Sequence, residues 1–159
     1  NPALGGGALL DLGIYPVSFA SMLLGTPSHV LAASDPAFTG VDGHTSAILR
    51  DGLGRHALVT TTMFANTETR GVVVGRDARI EVDSPFFRTM GFTMFYSDET
   101  PERVERPYQG NGMRFEAMEV ARCIREGLRE SPVMPLAETV AIMGTLDEIR
   151  RQIGLTYPS

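Results

Sequence analysis

The chain has 159 residues, 43% of them hydrophobic, which suits one domain with a sizeable core, and its formal net charge is −5. All 14 basic residues are arginines and are spread along the sequence, so nucleic-acid binding is not expected. Because no run of about 18 uninterrupted apolar residues and no secretory leader pattern is present, we expect no membrane span and a cytoplasmic location.

The first predicted element is a helix from about Gly7 to Leu24. Its apolar residues are too continuous for a strand with one face in water, and Gly25 followed by Pro27 should end it. Pro16 lacks a backbone N–H and crowds the preceding turn, so we expect it to kink the helix or to start a new segment.

The middle of the sequence is rich in short β-type runs. Hairpin turns are indicated at residues 51–54, where glycine supplies a positive φ, and near Arg76-Asp77. The predicted strands lie at residues 29–34, 44–50, 56–64, 69–75, 78–82, 91–96 and 103–106. Adjacent antiparallel strands of this kind favour a large open sheet.

The last third of the sequence predicts helices at residues 113–127 and 136–153, since apolar residues recur there at three- and four-residue spacing. The predicted fold class is therefore α+β, a large open, mainly antiparallel sheet with helices packed on one face. In strand 56–64 both faces carry apolar side chains. A partner on the outer face and an ordinary threonine-rich face in water explain this pattern equally well.

The cysteine and histidine pattern predicts neither a disulfide nor a metal site. Cys123 is the sole cysteine and lies in a helical pattern, where a small buried hydrophobe is the expected role. His29, His44 and His56 are scattered, without a second ligand at a metal-type spacing.

The most informative stretch is GGGALLDLGIYP, residues 5–16. It lacks the G-x-G-x-x-G register, and without a lysine it is not a phosphate-binding loop. Asp11 and Tyr15 are four residues apart and project from one face of a helix. Such a pair suits proton transfer by the phenol beside an orienting carboxylate. On spacing alone, Asp11 as a helix-end polar residue and Tyr15 as an amphipathic core residue remain an alternative.

This stretch resembles the G-G-x-L-x-D-x-G-x-[HY] signature that opens the C-terminal domain of the glucose-fructose oxidoreductase/inositol dehydrogenase (Gfo/Idh/MocA) family. Later segments at residues 112–117, 130–136 and 146–150 resemble its dimeric dihydrodiol dehydrogenase branch. The similarity runs in the same order along essentially the whole chain.

The resemblance implies that Tyr15 transfers the proton and that Asp11 orients it or binds the substrate. It also suggests Phe115 as a wall of the substrate pocket, with simple core packing as the alternative. The intact protein would then be an oxidoreductase that uses NADP or NAD on a sugar, a polyol or a trans-dihydrodiol.

The resemblance further implies that residues 1–159 form a substrate-binding and oligomerisation domain, which makes a homodimer through its open sheet face. The nucleotide-binding Rossmann domain, with the lysine of a Glu-Lys-Pro motif, would lie upstream of Asn1. The chain by itself should therefore be inactive. The rival interpretation is a non-catalytic binding or assembly module with the same fold.

Overall fold

The structure, a computed structural model, describes residues 1–158, which divide into two compact units. The first unit consists of residues 1–66 together with the chain from residue 132 onward, and the second consists of residues 67–131. The assignment of the whole chain to one substrate-binding and oligomerisation domain stays a prediction.

The secondary structure follows the predicted order, and the bounds lie within two residues of their predictions, except that the first regular α-helix begins at Ile14 and not near Gly7. The α-helices of residues 1–158 are α1 (Ile14–Leu24), α2 (Arg114–Arg125) and α3 (Leu136–Ile153). The strands of the same residues are β1 (His29–Pro36), β2 (Asp42–Arg50), β3 (His56–Thr62), β4 (Gly71–Val74), β5 (Ala78–Val82), β6 (Gly91–Tyr96) and β7 (Glu102–Glu105).

The predicted α+β class is confirmed, and the described strands pair antiparallel throughout. They are divided between two sheets, ordered β1-β2-β3 in the first unit and β4-β5-β6-β7 in the second, whereas the sequence suggested one large sheet. The division falls at residues 63–70, which join no ladder in the described chain and carry it from one unit to the other.

In the first unit, helices α1 and α3 cover one face of the three-stranded sheet, as predicted. The side chains that point towards them alternate along each strand with exposed ones, as the two-residue period of a strand requires. The core residues shared by the helices and the sheet are Leu9, Val17, Ala20, Ala47, Leu49, Ile142, Leu146 and Ile149. The opposite face of the sheet is exposed in this chain.

Residues 2–24 are strongly apolar, and part of this stretch contributes to the core of the first unit. By length and a mean hydropathy of 1.5, Pro2–Leu24 would be long and apolar enough to cross a membrane, although polar residues interrupt it. Leu9, Val17 and Ala20 of this stretch are buried in the core of the first unit. The absence of a membrane partner stays a prediction.

In the second unit, Cys123 is buried on α2, as predicted for a small hydrophobe. Burial raises the pKa of its thiol, and the hydrogen bond to Glu119 raises it further. Glu119 itself accepts hydrogen bonds from Arg122 and Ser131, which hold its pKa down to about 2. This cluster joins α2 to the segment that follows it.

Candidate active site

The predicted first helix is a continuous helical stretch with a change of helical type near its start. Residues Leu9–Gly13 form a π-helical turn, and the regular α-helix begins at Ile14. Pro16 lies in the first turn of α1. It has no backbone N–H to donate, and its ring would clash with the carbonyl group one turn earlier in a regular α-helix. The interruption expected at Pro16 is therefore a π-turn placed just before it, a feature that is frequent at functional sites.

Asp11 and Tyr15 both lie on this helical stretch and both are exposed. Asp11 belongs to the π-turn, and Tyr15, in the first turn of α1, is 43% exposed. An amphipathic core residue would be covered more completely than this. The two side chains are thus accessible to a molecule bound at the surface of the first unit.

The start of the helical stretch is anchored by a buried carboxylate from β2. Asp42 is 3% exposed, and its Oδ2 accepts hydrogen bonds from the Leu9 N–H at 2.6 Å and from the Thr45 hydroxyl at 2.9 Å. The Thr61 hydroxyl donates to the Ala8 carbonyl at 3.3 Å. Strands β2 and β3 thereby hold the turn that leads into Asp11.

The C-terminal tail reaches the same place. The Tyr157 hydroxyl donates a hydrogen bond to the Gly6 carbonyl at 3.1 Å. Burial raises the pKa of Tyr157 and the charge of Asp42 raises it further, while Arg150 acts in the opposite direction. The phenol therefore stays protonated at neutral pH, as this donor role requires.

Asp42 and Tyr157 were not among the residues predicted from the sequence. Their partners lie 33 and 151 residues away along the chain, so no local spacing reveals them. The one local signal is an aspartate two residues before the predicted strand 44–50, a position that aspartates also occupy in ordinary turns.

Phe115 belongs to the second unit, at the start of α2, and is exposed. Its ring contacts Tyr108 edge to face, with 5.6 Å between centroids, and the guanidinium of Arg114 lies 4.9 Å from the ring centroid. The ring also borders an open groove on α2 together with Met118 and Arg122. Phe115 therefore does not occupy a core position, which was the alternative interpretation. Its role as a wall of the substrate pocket stays a prediction.

The described residues do not form the fold that usually binds a dinucleotide. Both sheets of residues 1–158 are antiparallel, whereas the usual cradle is a βαβ unit with parallel strands and a glycine-rich turn. Across the same residues, no three or more His, Cys, Asp or Glu side chains are grouped as metal ligands would be. What this chain offers is the exposed pair Asp11 and Tyr15.

Comparison with known proteins identifies relatives for the whole chain. The model of the GFO/IDH/MocA C-terminal domain matches residues 1–81. Trans-1,2-dihydrobenzene-1,2-diol dehydrogenase of Mus musculus is 36% identical over 159 residues, which cover 96% of this chain and 48% of that protein. D-xylose 1-dehydrogenase (NADP(+)) of Hypocrea jecorina is 33% identical over 184 residues, covering 99% of this chain and 46% of that protein.

A similar fold occurs in a solved structure of a 3-ketoreductase from Actinomadura kijaniata in complex with TDP-benzene and NADP. It superimposes with a TM-score of 0.79 at 21% identity, over 93% of this chain and 48% of that one. At this identity the likeness concerns the fold alone. This chain spans about half the length of the curated relatives it matches.

Proposed function

The chain belongs to the GFO/IDH/MocA family as its C-terminal domain, and on that premise we propose that the whole protein is an NAD(P)-dependent oxidoreductase. Its substrate is a secondary alcohol, or the matching carbonyl, of a sugar, a polyol or a trans-dihydrodiol. The relatives named as dihydrodiol and xylose dehydrogenases support this substrate class, and the NADP(+) in the latter name favours NADP over NAD.

When bound, the nicotinamide supplies or accepts the hydride. Tyr15 handles the proton: its phenol donates a proton to the carbonyl oxygen during reduction, and its phenolate accepts the hydroxyl proton during oxidation. Asp11 orients the substrate or the phenol. The observation that carries this assignment is that both side chains are exposed on one helical stretch whose start is anchored by buried hydrogen bonds.

Residues outside this chain complete the site in this proposal. The chain contains no lysine, so the cation that assists proton transfer in the family comes from another part of the protein, as does the dinucleotide cradle. The chain by itself is then inactive. Phe115 serves as a wall of the substrate pocket.

The proposal also includes a homodimer and a cytoplasmic location. The outer face of the β1-β2-β3 sheet supports the dimer, because Leu31, Ile48 and Leu58 lie side by side in the strand register and are exposed. Apolar rows of this kind on a sheet face mark association surfaces.

Substitution of Tyr15 by Phe in the full-length protein tests the catalytic role. The expected result is a loss of about 10²–10⁴ in turnover, the usual contribution of a general acid or base, with cofactor binding retained. Steady-state rates with NADP and NAD on aldoses, inositols and cyclic diols measure the loss. Tyr96→Phe is the matched control, because Tyr96 lies on β6 of the second unit and its hydroxyl donates to the Met94 Sδ at 3.6 Å.

An active enzyme indifferent to Tyr15→Phe would move the proton transfer to another residue. Absence of turnover in the wild-type protein on every substrate would instead favour the non-catalytic assembly module.

A further inference from the structure

The helical stretch that carries Asp11 and Tyr15 begins without a cap of its own. Ala8 occupies the N-cap position, and alanine has no polar side chain with which to accept a hydrogen bond from the first turn. Asp42 replaces the missing cap from β2, because its Oδ2 accepts from the Leu9 N–H at 2.6 Å. A carboxylate in this position also interacts favourably with the positive end of the helix dipole.

The carboxylate of Asp42 is itself held in place. The Thr45 hydroxyl donates to the same Oδ2 at 2.9 Å, and Thr45 is buried on the strand that Asp42 begins. Within residues 1–158, Asp42 Oδ1 has no hydrogen-bond partner, and it faces the backbone of Gly7 at a distance that leaves no room for a Cβ. The buried charge and the glycine-rich turn therefore fit one another closely.

Asp11 is only two residues beyond Leu9, within the same π-helical turn. The π-turn continues directly into the first turn of α1, where Tyr15 lies, so the position of the Leu9 N–H sets the start of the segment that carries both side chains. A displacement of about 1 Å at a reacting group can lower turnover on the order of 10²-fold. We propose that Asp42 is a positioning residue, which holds the segment bearing Asp11 and Tyr15 in the geometry that their chemistry needs. This inference rests on the proposed function.

The test compares Asp42→Ala with Asp51→Ala in the full-length protein. Asp51 is a matched control: it is 5% exposed, follows the opposite end of β2, and accepts hydrogen bonds from the Leu53 and Arg55 N–H groups at 2.8 Å. Both substitutions remove a buried carboxylate that holds a turn, so both are expected to lower the melting temperature.

Turnover at saturating substrate separates the two variants. Asp42→Ala is expected to lose on the order of 10–100-fold in kcat at a temperature where it is folded, with cofactor affinity unchanged. Asp51→Ala is expected to keep its kcat. Asp42→Asn retains an oxygen that can accept a hydrogen bond from the Leu9 N–H. Its kcat should therefore stay closer to that of the wild type than the kcat of Asp42→Ala does.

Amide hydrogen exchange supplies a readout that does not need activity. Exchange at residues 8–12 should become faster in Asp42→Ala and stay unchanged in Asp51→Ala. Should Asp42→Ala not fold, Thr45→Val removes only the hydroxyl that fixes the carboxylate, and a smaller loss in the same direction is expected.

Unchanged kcat in folded Asp42→Ala would overturn the positioning role, whatever its melting temperature. Equal losses of kcat in the Asp42 and Asp51 variants would overturn it as well, because they would indicate a general loss of stability. If the wild-type enzyme shows no turnover, the proposed function fails, and the exchange rates alone decide: unchanged protection of residues 8–12 refutes the anchor, and faster exchange supports it.

Discussion

Gly7 and Gly43 each lie where a side chain has no room, but the obstacles differ. A Cβ on Gly7 would collide with the buried carboxylate of Asp42, and the φ of Gly7, 140°, is one that other residues rarely adopt. A Cβ on Gly43 would meet the tip of the Phe64 ring, which is largely exposed. The Asp42 carboxylate is held in place by hydrogen bonds, whereas the Phe64 ring can rotate into solvent.

Substitution of Gly7 by Ala is therefore expected to lower the free energy of unfolding by at least about 1–3 kcal/mol, the usual cost of a residue held in a sparsely populated backbone conformation. Gly43→Ala should cost less, because the Phe64 side chain can rotate away. Urea denaturation of the two variants measures both values. Equal losses would contradict the distinction between a fixed and a movable obstacle.

At the scale of elements, Gln152 links helix α3 to the edge of the first sheet. Its Oε1 accepts from the Ala32 N–H at 2.9 Å, and its Nε2 donates to the Val30 carbonyl at 2.7 Å. The outer backbone of β1, an edge strand, is thereby paired as another strand would pair it. Glu148 orients the amide by accepting a hydrogen bond from Nε2 at 2.8 Å. Hydrogen bonds from Arg151, the larger effect, and from Gln152 lower the pKa of Glu148 to about 2.

Gln152→Ala leaves these two partly buried backbone groups without their partner, so the expected loss in the free energy of unfolding is about 1–3 kcal/mol. Gln109→Ala, at an exposed loop position, is the control and should change it by less than about 0.5 kcal/mol. Chemical denaturation monitored by circular dichroism measures both. A loss no larger than that of the control would mean that water replaces the amide at no cost.

At the scale of the whole molecule, the outer face of the β1-β2-β3 sheet carries a row of exposed apolar side chains. The strand register aligns Leu31, Ile48 and Leu58 across the three strands, and all three side chains are exposed. Neighbouring positions are polar: Ser46 hydrogen-bonds to Thr60 at 2.9 Å. An apolar row bordered by polar groups is typical of an association surface, which is the basis of the homodimer proposed above.

Leu58→Glu should convert the proposed full-length dimer into a monomer, because it places a charge at one end of the three-residue apolar row. Leu53→Glu is the matched control: the two leucines are 81% and 82% exposed, but Leu53 lies in the β2–β3 turn, outside the row. Analytical ultracentrifugation of both variants distinguishes the outcomes. A wild-type protein that stays monomeric at high concentration would refute the dimer.

Most of the secondary structure followed from sequence patterns that act over a few residues. Strands β5 and β6 and helix α3 have the bounds that the sequence pattern predicted, and Gly25 ends α1 as expected. The candidate pair Asp11 and Tyr15 was found from its spacing and from the family signature around it. These signals depend on residues that are close together in the sequence, so they can be recognised without knowledge of the tertiary structure.

The tertiary structure alone decided how these elements combine. The break between the two sheets at residues 63–70, the capping of Leu9 by Asp42 and the pairing of Gln152 with β1 had no signal in the sequence pattern. Each of the two contacts joins residues far apart along the chain, 33 for Leu9 with Asp42 and 122 for Gln152 with Val30. Propensity and periodicity describe the conformation of neighbouring residues, whereas buried polar groups take whichever partner the packed chain brings within hydrogen-bond distance.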